Sequence, residues 1–520
     1  MDILDKNLLI KNYLRKQDFH LNNHRVIEIL KTFSKDETVR FGEFICSPYF
    51  NKSEKLIKFY KALMKYYPLF QFKSYTGKRL HQTAYPGNVF NKNNINKLFF
   101  DLLKAAENYL KIKNFQEEEI QGDDFLRFEL QKRNLHKLAE LNIKKNEALL
   151  NQVKDLEYDY YINCFKLISD KINCMYQNKK RNNKSLIMYD ASMISDRSRY
   201  ITFLFVTEVI RNYDNLLTIN KTYEINKDRE FTFGLFKNTD FPALIKYLIE
   251  NPGNEKYADI FRIYLSLLNM FSDFENERHY FEYKKLLFAN LDCFALNEKR
   301  FHAGRLVRYC MLKRADENNA VVFGEELFKV YNFILKSGLY KTILYEFMPL
   351  ELYRSILFLG LILKKYVWTI KFIKKYIKFI KPDIRKNLYH FSLAEYYFRR
   401  KMYKSATEHF HKVTFDEFIF KIDLKNLMLM CYYETKQYES ALSLIYTYEQ
   451  FLSKDKTISA DQRRRYKNFI DSVKKLVLYR ASAGNESTLS IEISLNKDFP
   501  NKDWIREKLI EIPQKRKKAV

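Results

Sequence analysis

The sequence predicts an all-α protein: an N-terminal helical module followed by a helical-repeat α-solenoid. Three observations carry this. The 520 residues include only 11 Gly and 9 Pro, too few for an all-β chain, which needs turn residues every few positions. Apolar residues recur at the 3.6-residue helical period over long stretches. Late in the chain, one helix–turn–helix unit occurs twice in register.

The elements follow in order. Ser34-Lys-Asp-Glu37 has the spacing of a capping box and starts a helix expected to run to about Cys46. Pro48 forbids its continuation and pushes Ser47 toward an extended backbone. Asn51-Lys-Ser-Glu54 repeats the start signal, and Leu56, Tyr60, Leu63 and Tyr67 form one apolar face that ends at Pro68. The aromatic-rich stretch SPYFNKSEKLIKFYKALMKYYPLF (47–70) thus reads as two helices separated by a proline break, with its aromatics in the core. A further helix is expected over 94–111, where Ile95, Leu98, Phe99, Leu102, Leu103, Ala106 and Leu110 make a stripe.

The acidic run EEEIQGDD (117–124) breaks the pattern and is expected to be a linker, closing an N-terminal module at 1–116. A middle helical region follows at 125–250, with a polar KKRNNK interruption at 179–184. Asn251-Pro-Gly-Asn254 is the next break, and helical patterns then succeed one another over 255–480.

Within that last region, LAEYYFRRKMYKSATEHFHKV (393–413) and MLMCYYETKQYESALSLIYTY (428–448) align without a gap, 35 residues apart. Tyr397 falls on Tyr432, Lys401 on Lys436, Tyr403 on Tyr438, Ser405 on Ser440 and Ala406 on Ala441. Each unit is a helix, a short turn around Lys-x-Tyr, and a second helix whose small Ala admits close approach of its neighbour. A looser unit, LFLGLILKKYVWTIKFIKKY (357–376), precedes them, with Tyr366 and Thr369 at the Tyr and Ala positions.

These units resemble the tetratricopeptide repeat: Leu393, Ala394, Tyr397, Ala406 and Phe410 match that family's buried pattern. Leu429 stands where the family has a small residue, and Phe418 and Ser453 where it has a terminal proline. The resemblance implies stacked helix pairs whose first helices line an inner groove. On that alignment the groove-facing positions, and the candidate partner-binding residues, are Glu395, Phe398 and Arg399 in one unit and Asn426, Met430, Tyr433 and Glu434 in the next.

Ser459-Ala-Asp-Gln462 is a capping box for a long final helix, with Tyr466, Phe469, Ile470, Val473 and Val477 facing inward and Arg463–Arg465 outward. An open-ended stack requires such a cap. The C-terminal segment, 481–520, carries one short amphipathic helix, DWIREKLIEI, and a basic PQKRKKAV tail expected to be unstructured. The order of features, from F..F..SPYFNK near the start to Trp504 near the end, also resembles a group of bacterial helical-repeat proteins without an assigned function.

The chain is 47% hydrophobic and 30% charged, enough to bury a large core. Its formal charge of +28 raises nucleic acid or an anionic membrane as partners, although Lys- and Asn-rich composition is also what an AT-rich genome imposes. Lys371, Lys374, Lys375 and Lys378 form a cationic stripe, joined by clusters at Lys179–Arg181, Arg463–Arg465 and Lys515–Lys518, that could follow a phosphate backbone. The six Cys are far apart with no Cys-x-x-Cys pair, so a reducing, cytoplasmic location is expected. The N-terminus lacks the apolar region of a signal peptide, and the longest apolar run, ILFLGLIL, is too short to span a bilayer, so no membrane insertion is expected.

Sequence signs of catalysis are absent. No glycine-rich phosphate loop, GxSxG or papain-like Cys motif occurs. His409 and His411 are two apart on a helix and diverge; His20 and His24 have i, i+4 spacing without a third ligand. Neither metal nor cofactor is expected, and the chain reads as no enzyme. The expected function is a non-catalytic scaffold that binds a peptide or protein partner on the concave surface of the repeats. The alternative is a nucleic-acid-binding protein using the basic stripe.

Overall fold

The computed structural model describes residues 21, 24–73, 75–153, 156, 158–177, 184–223, 230–251, 253–316, 318–341, 347–414, 418–454, 458–481 and 499–511. Among these, every regular element is helical. Contacts divide the chain into two compact units, Met1–Val153 with Tyr158–Arg211, and Lys154–Glu157 with Asn212–Val520.

The first unit opens with α1 (Arg25–Thr32), α2 (Lys35–Cys46) and α3 (Glu54–Leu63), followed by α4 (Thr76–Ala84) and α5 (Lys92–Glu117). The capping box is formed: Glu37 N–H donates to Ser34 Oγ at 3.1 Å, and Ser34 N–H to the Glu37 carboxylate at 2.9 Å. α2 stops at Cys46, and Ser47 is extended (φ −69°, ψ 122°), as its proline neighbour dictates. The cap of α3 is Ser53, whose Oγ accepts from Leu56 N–H. Asn51 instead braces the turn, donating to Ile45 O at 2.9 Å and accepting from Ser53 N–H at 2.9 Å. Leu56, Phe59, Tyr60 and Leu63 are buried against Phe41 and Phe99. Tyr49 and Phe50 depart from the expected core: Tyr49 is 87% exposed, and Phe50 is half exposed against Phe44, their ring centroids 4.2 Å apart. On α5 the stripe is as expected at Ile95, Leu98, Phe99, Leu102 and Ala106, while Leu110 is exposed and Tyr109 takes its place inside.

The acidic run expected to be a linker is helical. Only Glu118 departs from helical geometry (φ −97°, ψ 73°), between α5 and α6 (Glu119–Lys132). Its acids are held by cations: Lys145 reaches Asp123 and Glu119, and the fully buried Arg127 pairs with Asp124 and Asp170. Acids spaced for ion pairing support a helix as well as a loop. The unit continues through α7 (His136–Gln152), α8 (Tyr158–Gln177) and the start of α9 (Lys184–Tyr223). The polar interruption expected at 179–184 lies outside the described residues except for Lys184.

In the second unit, α10 (Phe231–Asn238) and α11 (Phe241–Glu250) precede the break at 251–254, where Gly253 has φ +88°. Then come α12 (Glu255–Ser272), α13 (Glu277–Ala289), α14 (Leu296–Lys313), α15 (Ala320–Lys336), α16 (Leu350–Ile362), α17 (Tyr366–Tyr376), α18 (Pro382–Arg399), α19 (Tyr403–Phe410), α20 (Phe418–Glu434), α21 (Tyr438–Lys454), α22 (Ala460–Ala481) and α23 (Lys502–Ile510).

Three of these helix pairs share one turn. Lys364, Lys401 and Lys436 each adopt a left-handed backbone (φ 55°, 59° and 60°). The next N–H donates five residues back, Lys365 to Gly360 O, Met402 to Tyr397 O and Gln437 to Tyr432 O, all at 2.8–2.9 Å. This is the Schellman closure of a helix C-terminus, and the second helix begins immediately at Tyr366, Tyr403 or Tyr438. Asn134 (φ 58°) makes the same closure between α6 and α7, without the Lys-x-Tyr signature. Ala406, Ala441 and the equivalent Thr369 are fully buried. The unit with the larger Thr369 has Gly360 where the others have Tyr397 and Tyr432; a Cβ on Gly360 would lie 2.5 Å from Thr369 Oγ1. The first helices touch in series: α16 contacts α18, α18 contacts α20, and α20 contacts α22. α22 carries its expected capping box, with Gln462 N–H donating to Ser459 Oγ at 3.2 Å, and buries Phe469, Ile470, Val473 and Val477.

Candidate functional site

A cavity of about 390 Å³ opens on the row of first helices. Helical spacing puts one face of each into it. α16 presents Arg354, Phe358 and Ile362 at i, i+4 and i+8; α18 presents Glu395 and Arg399 at i, i+4. α20 adds Asp423 and Asn426, and α22 adds Gln462, Arg465 and Tyr466, with Pro500 and Asn501 of the following segment.

The polar groups fall into two sets. Arg354 grips Asp423 with two donors, Nη2 lying 2.8 Å from Oδ1 and Nε bonding Oδ2, and its guanidinium stacks 4.9 Å from the Phe358 ring. Burial pushes the Asp423 carboxyl up, and Arg354 opposes that shift. Glu395 is different. It is 3% exposed, its Oε2 has no hydrogen-bond partner among the described residues, and Arg399 Nε, also without one, stands 4.0 Å away. Burial pushes its carboxyl up to about 7; Arg399 and Arg354 oppose this, and Asp423 adds to it. Asn426 accepts from the Tyr448 hydroxyl at 3.0 Å through Oδ1, which leaves its amide nitrogen for the cavity. A buried carboxyl with a displaced titration, in a concavity beside an arginine whose Nε–H makes no hydrogen bond among the described residues, marks a candidate functional site.

The sequence-derived positions divide accordingly. Glu395, Arg399 and Asn426 meet at the cavity. Phe398, Met430 and Tyr433, expected to be groove-facing, are at most 5% exposed and belong to the core formed with Trp504 and Ile505 of α23. Glu434 lies beneath the same helix, accepting from Trp504 Nε1 at 2.7 Å and pairing with Lys508 at 2.9 Å. Sequence reasoning missed Arg354, Phe358 and Ile362, although the 37-residue offset between the first two units maps Glu395 onto Phe358 and Arg399 onto Ile362. It also missed Asp423 and Tyr466, whose roles arise from neighbours remote in sequence.

The cationic stripe is in place: Lys371, Lys374 and Lys375 on α17 and Lys378 in the turn after it are all exposed. None has a carboxylate within ion-pairing distance among the described residues. Of the other basic clusters, 179–181 and 515–518 lie outside the described residues. Arg463 and Arg464 border a shallow surface groove with Lys467. His24 stacks on Phe99 at 3.9 Å, and His20 lies outside the described residues. His409 does have a histidine neighbour, on the other helix of its pair: His390 Nδ1 is 3.1 Å from its Nδ1. Among the described residues no three His, Cys, Asp or Glu side chains converge as metal ligands, and no helix is long and apolar enough to cross a membrane.

Comparison of the chain with protein-family models, with curated proteins and with solved structures finds no match.

Proposed function

We propose that this chain is a non-catalytic, cytoplasmic scaffold that binds a peptide or protein segment on the surface shared by its first helices. In this reading the pairs α16–α17, α18–α19 and α20–α21 are tetratricopeptide-like units of a solenoid, and α22 is its terminal cap. The observation that carries it is the cavity itself. Four first-of-pair or capping helices, remote in sequence, put arginines, a buried carboxyl, an amide and apolar side chains around one concavity. Mixed apolar and directional polar contacts suit an extended peptide, which needs both affinity and a fixed direction. The six free thiols accord with a reducing compartment.

The test is partner capture by the full-length chain, comparing wild type with Arg399→Glu and with a variant in which Lys371, Lys374, Lys375 and Lys378 are all Glu. The scaffold reading expects Arg399→Glu to lose the partner while its helical spectrum persists, and the quadruple variant to keep it. The exposed lysine stripe, with no carboxylate in ion-pairing range among the described residues, favours one second reading, nucleic-acid binding. It expects the reverse pattern, with affinity falling steeply as salt rises.

A further inference from the structure

The histidine pair between α18 and α19 has the spacing of two ligands on one metal ion. His390 and His409 sit on the two helices of one repeat-like pair, and their Nδ1 atoms lie 3.1 Å apart. Metal–imidazole bonds are about 2.0–2.1 Å long, so two nitrogens on one ion stand about 2.9 Å apart at a right angle and about 3.3 Å apart at the tetrahedral angle. The observed separation falls between these. Both rings are also held by neighbours on α18. Tyr397 stacks on His409 at 5.4 Å with 16° between the planes, and Tyr389 meets His390 edge-on at 5.7 Å. Both histidines are half-buried, so water reaches the pair and can fill the remaining positions of an ion.

We propose that His390 and His409 form a site for a divalent transition ion of the imidazole-preferring class, copper(II), nickel(II) or zinc(II), bound through both Nδ1 atoms and completed by water. The site goes beyond the scaffold reading and does not rest on it. In the metal-free pair one Nδ1–H donates to the other Nδ1, which uses the lone pair of only one ring. An ion takes both lone pairs. The shared proton leaves its Nδ1 and the same ring gains one at Nε2 through solvent, so both rings stay neutral and no net proton is released. Magnesium and calcium prefer oxygen ligands and do not suit the pair. The charges facing it are Lys386 and Lys412, which oppose a cation, and Glu408, which favours one. All three are exposed and screened by water, whereas the two nitrogens bond the ion directly. Because the ligands lie on different helices, a bound ion ties α18, which carries Glu395 and Arg399 to the cavity, to α19.

The probes are the metal salts themselves. The full-length protein, stripped with a chelator, is titrated calorimetrically at pH 7.5 with zinc, nickel and copper(II) chlorides, and with magnesium chloride as control. His390→Gln and His409→Gln are titrated in parallel, since glutamine keeps a polar side chain at each half-buried position. Wild type should bind each transition ion at least about tenfold more tightly than either variant, a loss no smaller than that for removing a group that only supports a ligand. Magnesium should give no saturable heat. The first equivalent of copper(II) should show electron paramagnetic resonance coupling to two imidazole nitrogens in wild type and to fewer in each variant. Zinc should raise hydrogen-exchange protection of α18 and α19 in wild type alone.

Equal affinity of wild type and either variant for all three ions places metal binding elsewhere and overturns the site. No saturable binding, or magnesium bound as tightly as zinc, also overturns it. If neither variant folds, as judged by circular dichroism, the wild-type measurements decide. Two coupled nitrogens together with added protection on α18 and α19 support the site, and the absence of either overturns it. All of these results leave the scaffold reading untouched, since that is read from partner capture.

Discussion

The indole N–H of Trp504 donates to Glu434 Oε1 at 2.7 Å, joining the C-terminal helix to the end of the last repeat-like first helix. The Trp504 ring meets Tyr433 edge-on at 5.4 Å, Lys508 pairs with Glu434 and Glu511, and Lys401 reaches across to Glu507. α23 thus covers Tyr433 and Glu434, and Arg399 stays at the cavity.

Trp504→Ala should therefore destabilise the C-terminal helices by about 3–5 kcal/mol, the usual cost of truncating a buried tryptophan. Urea unfolding gives the magnitude, and hydrogen exchange should show loss of protection across α23 and the end of α20. An unchanged exchange pattern would mean that α23 is not anchored through this side chain.

Ala441 is fully buried on α21 at the position where α19 has Ala406. Ala441→Phe should cost about 1–3 kcal/mol through overpacking, read as a lowered denaturation midpoint at unchanged slope. Tolerance of the phenyl ring would contradict the close approach of these helices.

Glu395 makes stability depend on pH. Its folded carboxyl is pushed up to about 7, whereas an unfolded glutamate titrates near about 4.3. Between these values folding takes up a proton, so the contribution is fully present at low pH and is lost as pH rises through 7. Glu395→Gln lacks this loss. It should be more stable than wild type at pH 8 by on the order of 3 kcal/mol, and the advantage should vanish toward pH 4. A difference that is constant over pH 4–8 would show that Glu395 titrates normally.

Much of the helical framework was legible in the sequence because its signals are local. Capping boxes at Ser34 and Ser459, the proline stop after Ser47 and the Lys-x-Tyr turns act within a few residues of where they are written. The acidic run at 117–124 misled because Asp123 and Asp124 look like loop residues until Lys145 and Arg127 are placed beside them. The candidate site was legible only in part. Repeat alignment reached Glu395, Arg399 and Asn426, since register along a helix fixes which face a residue occupies. It could not foresee that Tyr433, Met430 and Phe398 are buried in the core shared with Trp504 and Ile505, about 70 residues or more further on in sequence. Nor could it foresee that Arg354 would find Asp423 across two helix pairs. Such contacts depend on how helices stack, which periodicity does not encode.

The most direct test of the scaffold reading is site-specific photo-crosslinking from a benzophenone amino acid placed at Ile362, half-exposed at the cavity, and at Val367, 72% exposed on α17, as control. The account predicts one dominant peptide adduct from position 362, competed away by excess partner and lost in Arg399→Glu, with none from 367. Equal labelling from both positions, or an adduct at 362 that survives Arg399→Glu unchanged, would contradict it.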